Sequence, residues 1–279
     1  MNKLNKVFFA SAILLILVNC SPSPKENWEV LFDGSNLEGW DTYLGAQRIQ
    51  DDTTVYKPLG LNVDTSVFKI VNLEGEKALR ISGQIWGGIS TQREFENYHL
   101  QLQFKWGKLK WYPRGKDSDR RDSGLLYHGV GEHGKGDGYW LRSQEFQVQE
   151  GDCGDYWGVA GAGFDIKATL NTDSIFQYDP QGSLLSFSQN SENGRHCKKY
   201  PDAEKTSGEW NTIDLYCFGN TSVHVINDQV VMVLENSRQS DNGSETPLSK
   251  GKIQLQSESA EVFYRNIRIR PIDKIPQLD

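Results

Sequence analysis

Hydrophobic positions in this chain recur mostly at every second residue. "HLQLQFKW" sets Leu100, Leu102, Phe104 and Trp106 against Gln101, Gln103 and Lys105. "EFQVQ" alternates Phe146 and Val148 with Glu145, Gln147 and Gln149. A period of two puts alternate side chains on opposite faces of an extended strand. "NTIDLYCF", "SVHVIN", "QVVMVLEN", "GKIQLQS" and "VFYRNIRIR" follow at short spacings and predict further strands. Asn227-Asp228, between "SVHVI" and "QVVMVL", predicts a two-residue hairpin turn. Short strands punctuated by Gly, Asn and Asp predict an all-β sandwich or jelly roll of two antiparallel sheets. No internal repeat is visible, which argues against a propeller or solenoid.

In a sandwich each strand gives one face to the core, and the other face meets solvent or lines a groove. The strand after the glycine-rich loop "GVGEHGKGDGYW" turns Ser143, Glu145, Gln147 and Gln149 away from the core. Carboxylates and amides in a row suit sugar hydroxyls, and nearby aromatics suit the flat faces of sugar rings. Gln101, Gln103 and Lys105 form a second such row, and Gln254, Gln256 and Glu258 a third. The same alternation describes an ordinary polar-out strand, so the pattern alone does not separate a groove from plain surface.

The N-terminus carries a targeting signal. "MNKLNK" is basic, "VFFASAILLILV" is an apolar run too short to span a bilayer comfortably, and "LVNC" ends at Cys20. This resembles a bacterial lipoprotein signal over residues 1–19, with Cys20 lipidated and the domain tethered in the cell envelope. Residues 20–27 read as a polar, Pro-rich tether, 28–272 as a single domain and 273–279 as a tail. The formal charge is −7, and loss of Lys3 and Lys6 with the leader takes it to −9. That charge argues against nucleic acid as a partner. Cys153, Cys197 and Cys217 remain, an odd count with no CxxC spacing, so a structural zinc site is disfavoured while one disulfide is possible. The oligomeric state is not legible.

Longer stretches carry a resemblance. The opening "WEVLFDGSNLEGWDTY" is similar to the start of the DUF1080 family, also named the 3-keto-disaccharide hydrolase domain. "RDSGLLYHG", "EFQVQEGDCGDYW", "GEWNTIDLYCFGN", "VINDQVV" and "GKIQLQSESAEVFYRNIRIRPI" continue it in order, and the longer insertions resemble its Bacteroidetes lipoprotein branch. The resemblance implies a concanavalin-like jelly roll. It also implies cleavage of 3-keto-glycosides, because a ketone at C3 acidifies the C2 proton. Removal of that proton gives an enolate that expels the group on C1, and water then adds back. Such chemistry needs a base near C2, an acid or Lewis acid for the leaving oxygen, and a group facing the enolate.

Each role has candidates. Glu145 suits a general base or metal ligand. His128 ends "SGLLYH", where strand parity puts it with Gly124 and Leu126, and it suits proton transfer or metal ligation. Gln147, Gln149, Gln256 and Glu258 suit sugar hydroxyls, while Arg121 suits an enolate oxygen and Lys105 the same groove. Trp140, Trp157 and Tyr156 suit ring stacking. The sequence identifies no cofactor, and a divalent ion is possible on His128, Glu145 and His133, with Asp137 near. Glu145 and Glu150 are five apart, so in a regular strand they face opposite ways and do not form an acid/nucleophile pair. Glu145 with Glu258 remains open as such a pair. Two other readings stand beside the first: a non-catalytic sugar-binding module and a conventional glycosidase.

Overall fold

A computed structural model describes residues 27–278. The signal, tether and lipidation expectations at Cys20 lie outside these residues. The described chain forms 21 strands in two antiparallel sheets, with no helix among the described residues. The twelve-stranded sheet is centred on Tyr98–Lys110, flanked by Asn211–Phe218 and Ala260–Pro271. The nine-stranded sheet runs through Tyr156–Val159, Arg142–Gln149, Asp122–Val130, Lys250–Ser257, Gly87–Thr91 and Trp40–Leu44 in spatial order. The chain is an all-β jelly-roll sandwich, as the strand pattern predicts.

The alternation explains the core. Leu100, Leu102 and Phe104 from one sheet meet Leu125, Tyr127, Phe146 and Val148 from the other, all fully buried. Burying one such side chain stabilises the fold by roughly 1.5–3 kcal/mol. Ser123 sits on this inner face, donates to the Gln256 carbonyl at 2.8 Å and lies 2.8 Å from the Tyr264 hydroxyl. The predicted hairpin forms, with Ile226 opposite Gln229. Asn227 and Asp228 both take positive φ, 49° and 68°, as a turn matching the strand twist demands. Cys153, Cys197 and Cys217 are free and buried, so the possible disulfide does not form among them.

The polar rows on "HLQLQFKW" and "EFQVQ" belong to different sheets and face opposite sides of the molecule. Lys105 lies on the outer face of the twelve-stranded sheet, 2.5 Å from Glu74. Gln101 and Gln103 accept there from Arg268 and Arg265, each at 2.9 Å. The expectation that Lys105 reaches the groove is therefore corrected. Parity chooses a face, but pairing chooses the sheet.

Candidate active-site groove

Three adjacent strands make the floor of a groove on the outer face of the nine-stranded sheet. Gln147 lies opposite Gly124 and Gln149 opposite Asp122, while Glu145 and Gln254 flank Leu126 from either side. One strand further out, Trp157 lies opposite Glu145. Directly opposed residues of an antiparallel pair point to the same side. Gly124 sits at the centre of this grid. A Cβ there would lie 2.5 Å from Glu145 Oε1 and 2.4 Å from Gln256 Oε1, so only glycine lets both side chains extend over the backbone. The result is a groove of about 330 Å³, within the range of small-ligand sites.

Asp122, Glu145 and Glu258 are only 2%, 7% and 7% exposed, and carboxylates so placed must be paired or protonated. Arg114 pairs with Asp122 and lies 3.4 Å from Glu258 Oε1. Gln149 donates to Asp122 at 2.8 Å. Gln147, with its amide nitrogen facing Glu145, donates to Glu145 Oε1 at 2.9 Å and to the Ser123 carbonyl at 3.2 Å. Gln256 Oε1 is buried and has no hydrogen-bond partner.

These surroundings shift both buried acids of the groove. Burial, helped by the charge of Glu258 and opposed by Arg195, pushes Glu145 up to about 8. Burial pushes Glu258 up to about 7, with Arg114 and Arg48 pulling the other way. Both carboxyls are thus held above the ordinary carboxylate range, Glu258 with two arginines favouring its charged form.

Aromatic and cationic side chains wall the groove. Trp86 stacks on Trp140 with centroids 5.8 Å apart, and Arg48 lies 3.8 Å over Trp86. Trp86 donates to the Ser259 hydroxyl at 2.7 Å, and Trp140 to the Gly87 carbonyl at 3.1 Å. Trp157 lines the opposite flank with Arg195 beside it.

The structure brings together Glu145, Gln147, Gln149, Gln256, Glu258 and Trp140. His128 is not among them. Strand pairing shifts on both sides of it, and the residue itself takes φ 52°, so a bulge reverses the parity. Its ring turns inward against Tyr127 and Tyr98, at 5.1 and 6.0 Å between centroids. Burial pushes its pKa down to about 3, which leaves it neutral and walled off from the groove. Arg121 is also elsewhere: it donates to Glu150 at 2.9 Å and to the Gly107 carbonyl at 3.0 Å. His133 stacks on Tyr43 at 5.5 Å and does not line the groove. The suggested metal set of His128, Glu145 and His133 thus does not converge. Among the described residues no three His, Cys, Asp or Glu side chains are grouped to hold a metal ion.

The sequence pattern marks none of Arg48, Trp86, Arg114, Asp122 and Arg195. All five line the groove. The arginines come from loops with no periodicity to mark them. The basic stretch "KLKWYPRGKDSDRR" reads as an exposed loop with aromatics at a site border, yet Arg114 is what it contributes. The available signal was compositional: buried carboxylates on the strands required cations from somewhere.

A family model described as a 3-keto-alpha-glucoside-1,2-lyase-like domain matches residues 27–270. Among solved structures, the chain is similar to a candidate glycosyl hydrolase from Parabacteroides distasonis. Identity is 16%, over 88% of this chain and 94% of that one, with a TM-score of 0.50. A second from the same organism is 18% identical over 88% and 99%, with a TM-score of 0.48. These likenesses bear on the fold alone. No curated protein matches the chain.

Proposed function

The chain belongs to the 3-keto-alpha-glucoside-1,2-lyase-like domain family, and from that premise we propose that its groove cleaves 3-keto-glycosides by elimination and hydration. The family carries a carbohydrate-related activity; the specific reaction is our reading. One observation carries it: two buried carboxyls, Glu145 and Glu258, share a groove walled by tryptophans and arginines, and Glu145 and Gln256 reach over Gly124 at its floor.

In this reading Glu258 is the base. Arg114, 3.4 Å from its Oε1, favours its carboxylate form, and Glu258 takes the proton from C2. The electrons form the C1–C2 double bond through an enolate on C3, and the C1–O bond breaks. The guanidinium groups of Arg114 and Arg48, which line the groove, face the developing enolate charge. Glu145 was expected as the base, but burial holds its pKa up and Gln147, not a cation, is its hydrogen-bond partner, so it fits the acid that protonates the departing oxygen. Water then adds across C1–C2, hydroxyl to C1 and proton to C2, and the two carboxyls recover their starting states. Gln147 positions Glu145, and the partnerless Gln256 Oε1 accepts from a sugar hydroxyl.

The test is to incubate the protein in D₂O with a 3-keto-glucoside and with its unoxidised parent. The expected outcome is consumption of the oxidised compound alone, with deuterium entering C2 faster than in an enzyme-free control. A second reading, conventional glycoside hydrolysis, is favoured by the shared face of Glu145 and Glu258. It would cleave the unoxidised parent with no exchange at C2. Binding without turnover of either compound would mark a sugar-binding module.

A further inference from the structure

The floor of the groove is asymmetric about Gly124, and the asymmetry gives the substrate a direction. Glu258, Asp122 and Arg114 gather on one side of this glycine. Glu145 lies on the other side, with Trp157 directly across the strand pair from it. Trp157 is half-buried on a strand whose other residues are buried, and with Val159 it lines the groove.

Its surroundings hold it there. The His196 ring stacks on the indole with centroids 4.4 Å apart and planes 26° from parallel. His196 Nε2 lies 2.8 Å from Asp155 Oδ2, and Asp155 Oδ1 accepts from the Lys199 backbone at 2.9 Å. Asp155 is itself only 2% exposed. On the groove side the Arg195 guanidinium is 5.4 Å from the indole centroid, and it pairs with Asp137 at 3.8 Å. A braced indole beside one carboxylate, bordered by a cation, is a platform for a flat ring.

We propose that Trp157 is the leaving-group subsite of this groove, a surface that accepts a ring, sugar or aryl, attached through oxygen to C1. This rests on the reading of Glu145 as the acid for the departing oxygen. A group on that oxygen must lie on the Glu145 side of Gly124, and Trp157 is the aromatic that flanks Glu145 there. The opposite tryptophans, Trp86 and Trp140, then belong to the keto-sugar. The subsite selects glycosides with a ring-shaped leaving group over those with a small one.

The experiment compares kcat/KM of wild type and Trp157→Ala on three substrates: a 3-keto-disaccharide, a phenyl 3-keto-glucoside and a methyl 3-keto-glucoside. Loss of ring stacking lowers kcat/KM for the first two by roughly 10- to 100-fold. The methyl glycoside, which has no ring to stack, serves as the control for folding and chemistry and stays within about twofold. Trp157→Phe recovers part of the loss. A loss on only one of the two ring substrates tells a sugar from an aryl platform. An equal fall on all three substrates overturns the inference, as does no change on any. A wild-type protein inert towards all three fails the reading of the reaction itself, a different result from either.

Discussion

The two outer faces of this sandwich carry the same sequence pattern and do opposite things. On the twelve-stranded sheet, Gln101, Gln103 and Lys105 meet Arg268, Arg265 and Glu74, and each polar group finds a partner of matching role. On the nine-stranded sheet, Glu145, Gln147 and Gln149 line a groove walled by tryptophans and arginines. There Glu145 is pushed up to about 8 and Gln256 Oε1 has no partner. The first face is a satisfied surface and the second is not. Polar groups left unsatisfied in a buried groove cost stability, and such a cost is characteristic of a site rather than of a surface.

Substitution at matched positions breaks the comparison most sharply. Glu258→Gln removes the proposed base and is expected to lower kcat/KM for a 3-keto-glucoside by about 100- to 10,000-fold. Lys105→Gln, on the other face, changes it by less than about twofold. Steady-state kinetics on both variants checks the contrast, and equal losses would erase the distinction between the faces.

Gly124→Ala follows in size. The added methyl collides with the ends of Glu145 and Gln256, which must retreat from the groove centre. Displacing acid and amide together lowers kcat/KM by roughly 10- to 100-fold, with the protein still folded by circular dichroism. Retained full activity would mean that the two side chains do not need to meet over this residue.

A smaller effect concerns stability and needs no substrate. Glu145 binds its proton more tightly folded than unfolded, at about 8 against an ordinary 4.5. The native state then holds more protons than the unfolded state between those values. The sign follows: this group's contribution is fully present at low pH and is lost as pH rises towards 8. Thermal unfolding of wild type and Glu145→Gln from about pH 5 to 9 should show a shallower decline for the variant. An unchanged slope would show that Glu145 does not carry this proton.

His128→Ala is the mildest for chemistry. Removing a buried ring at positive φ lowers stability by about 1–3 kcal/mol, read by chemical denaturation. The midpoint of the kcat/KM pH profile stays where it is, because the ring faces Tyr98 and Tyr127 and not the groove.

His128 also shows where sequence reasoning stops. Parity along "SGLLYH" is a sound rule for a regular strand and placed Gly124 and Leu126 on the groove side, where they are. One bulge then sent the next residue of that face inward. Parity separated Glu145 from Glu150 correctly, since Glu150 pairs with Arg121 away from the groove. It had no means of placing Lys105, because the face of a strand is local while its sheet is not.

The sequence by itself determined the strands, their apolar faces and the hairpin at Asn227-Asp228, since alternation and turn chemistry act over a few residues. It also determined the family, through an ordered set of stretches along the chain, and with it the likeness to keto-sugar cleavage. Only the tertiary structure decided which polar row became a groove. That choice depended on strand pairing across more than a hundred residues, such as Gln254 brought beside Leu126. It depended as well on loops that carry Arg48, Arg114 and Arg195 to carboxylates far away in the chain. Neither the burial that raises the Glu145 pKa nor the cations that hold Asp122 and Glu258 has a local sequence signal, because both are properties of what surrounds a residue in space.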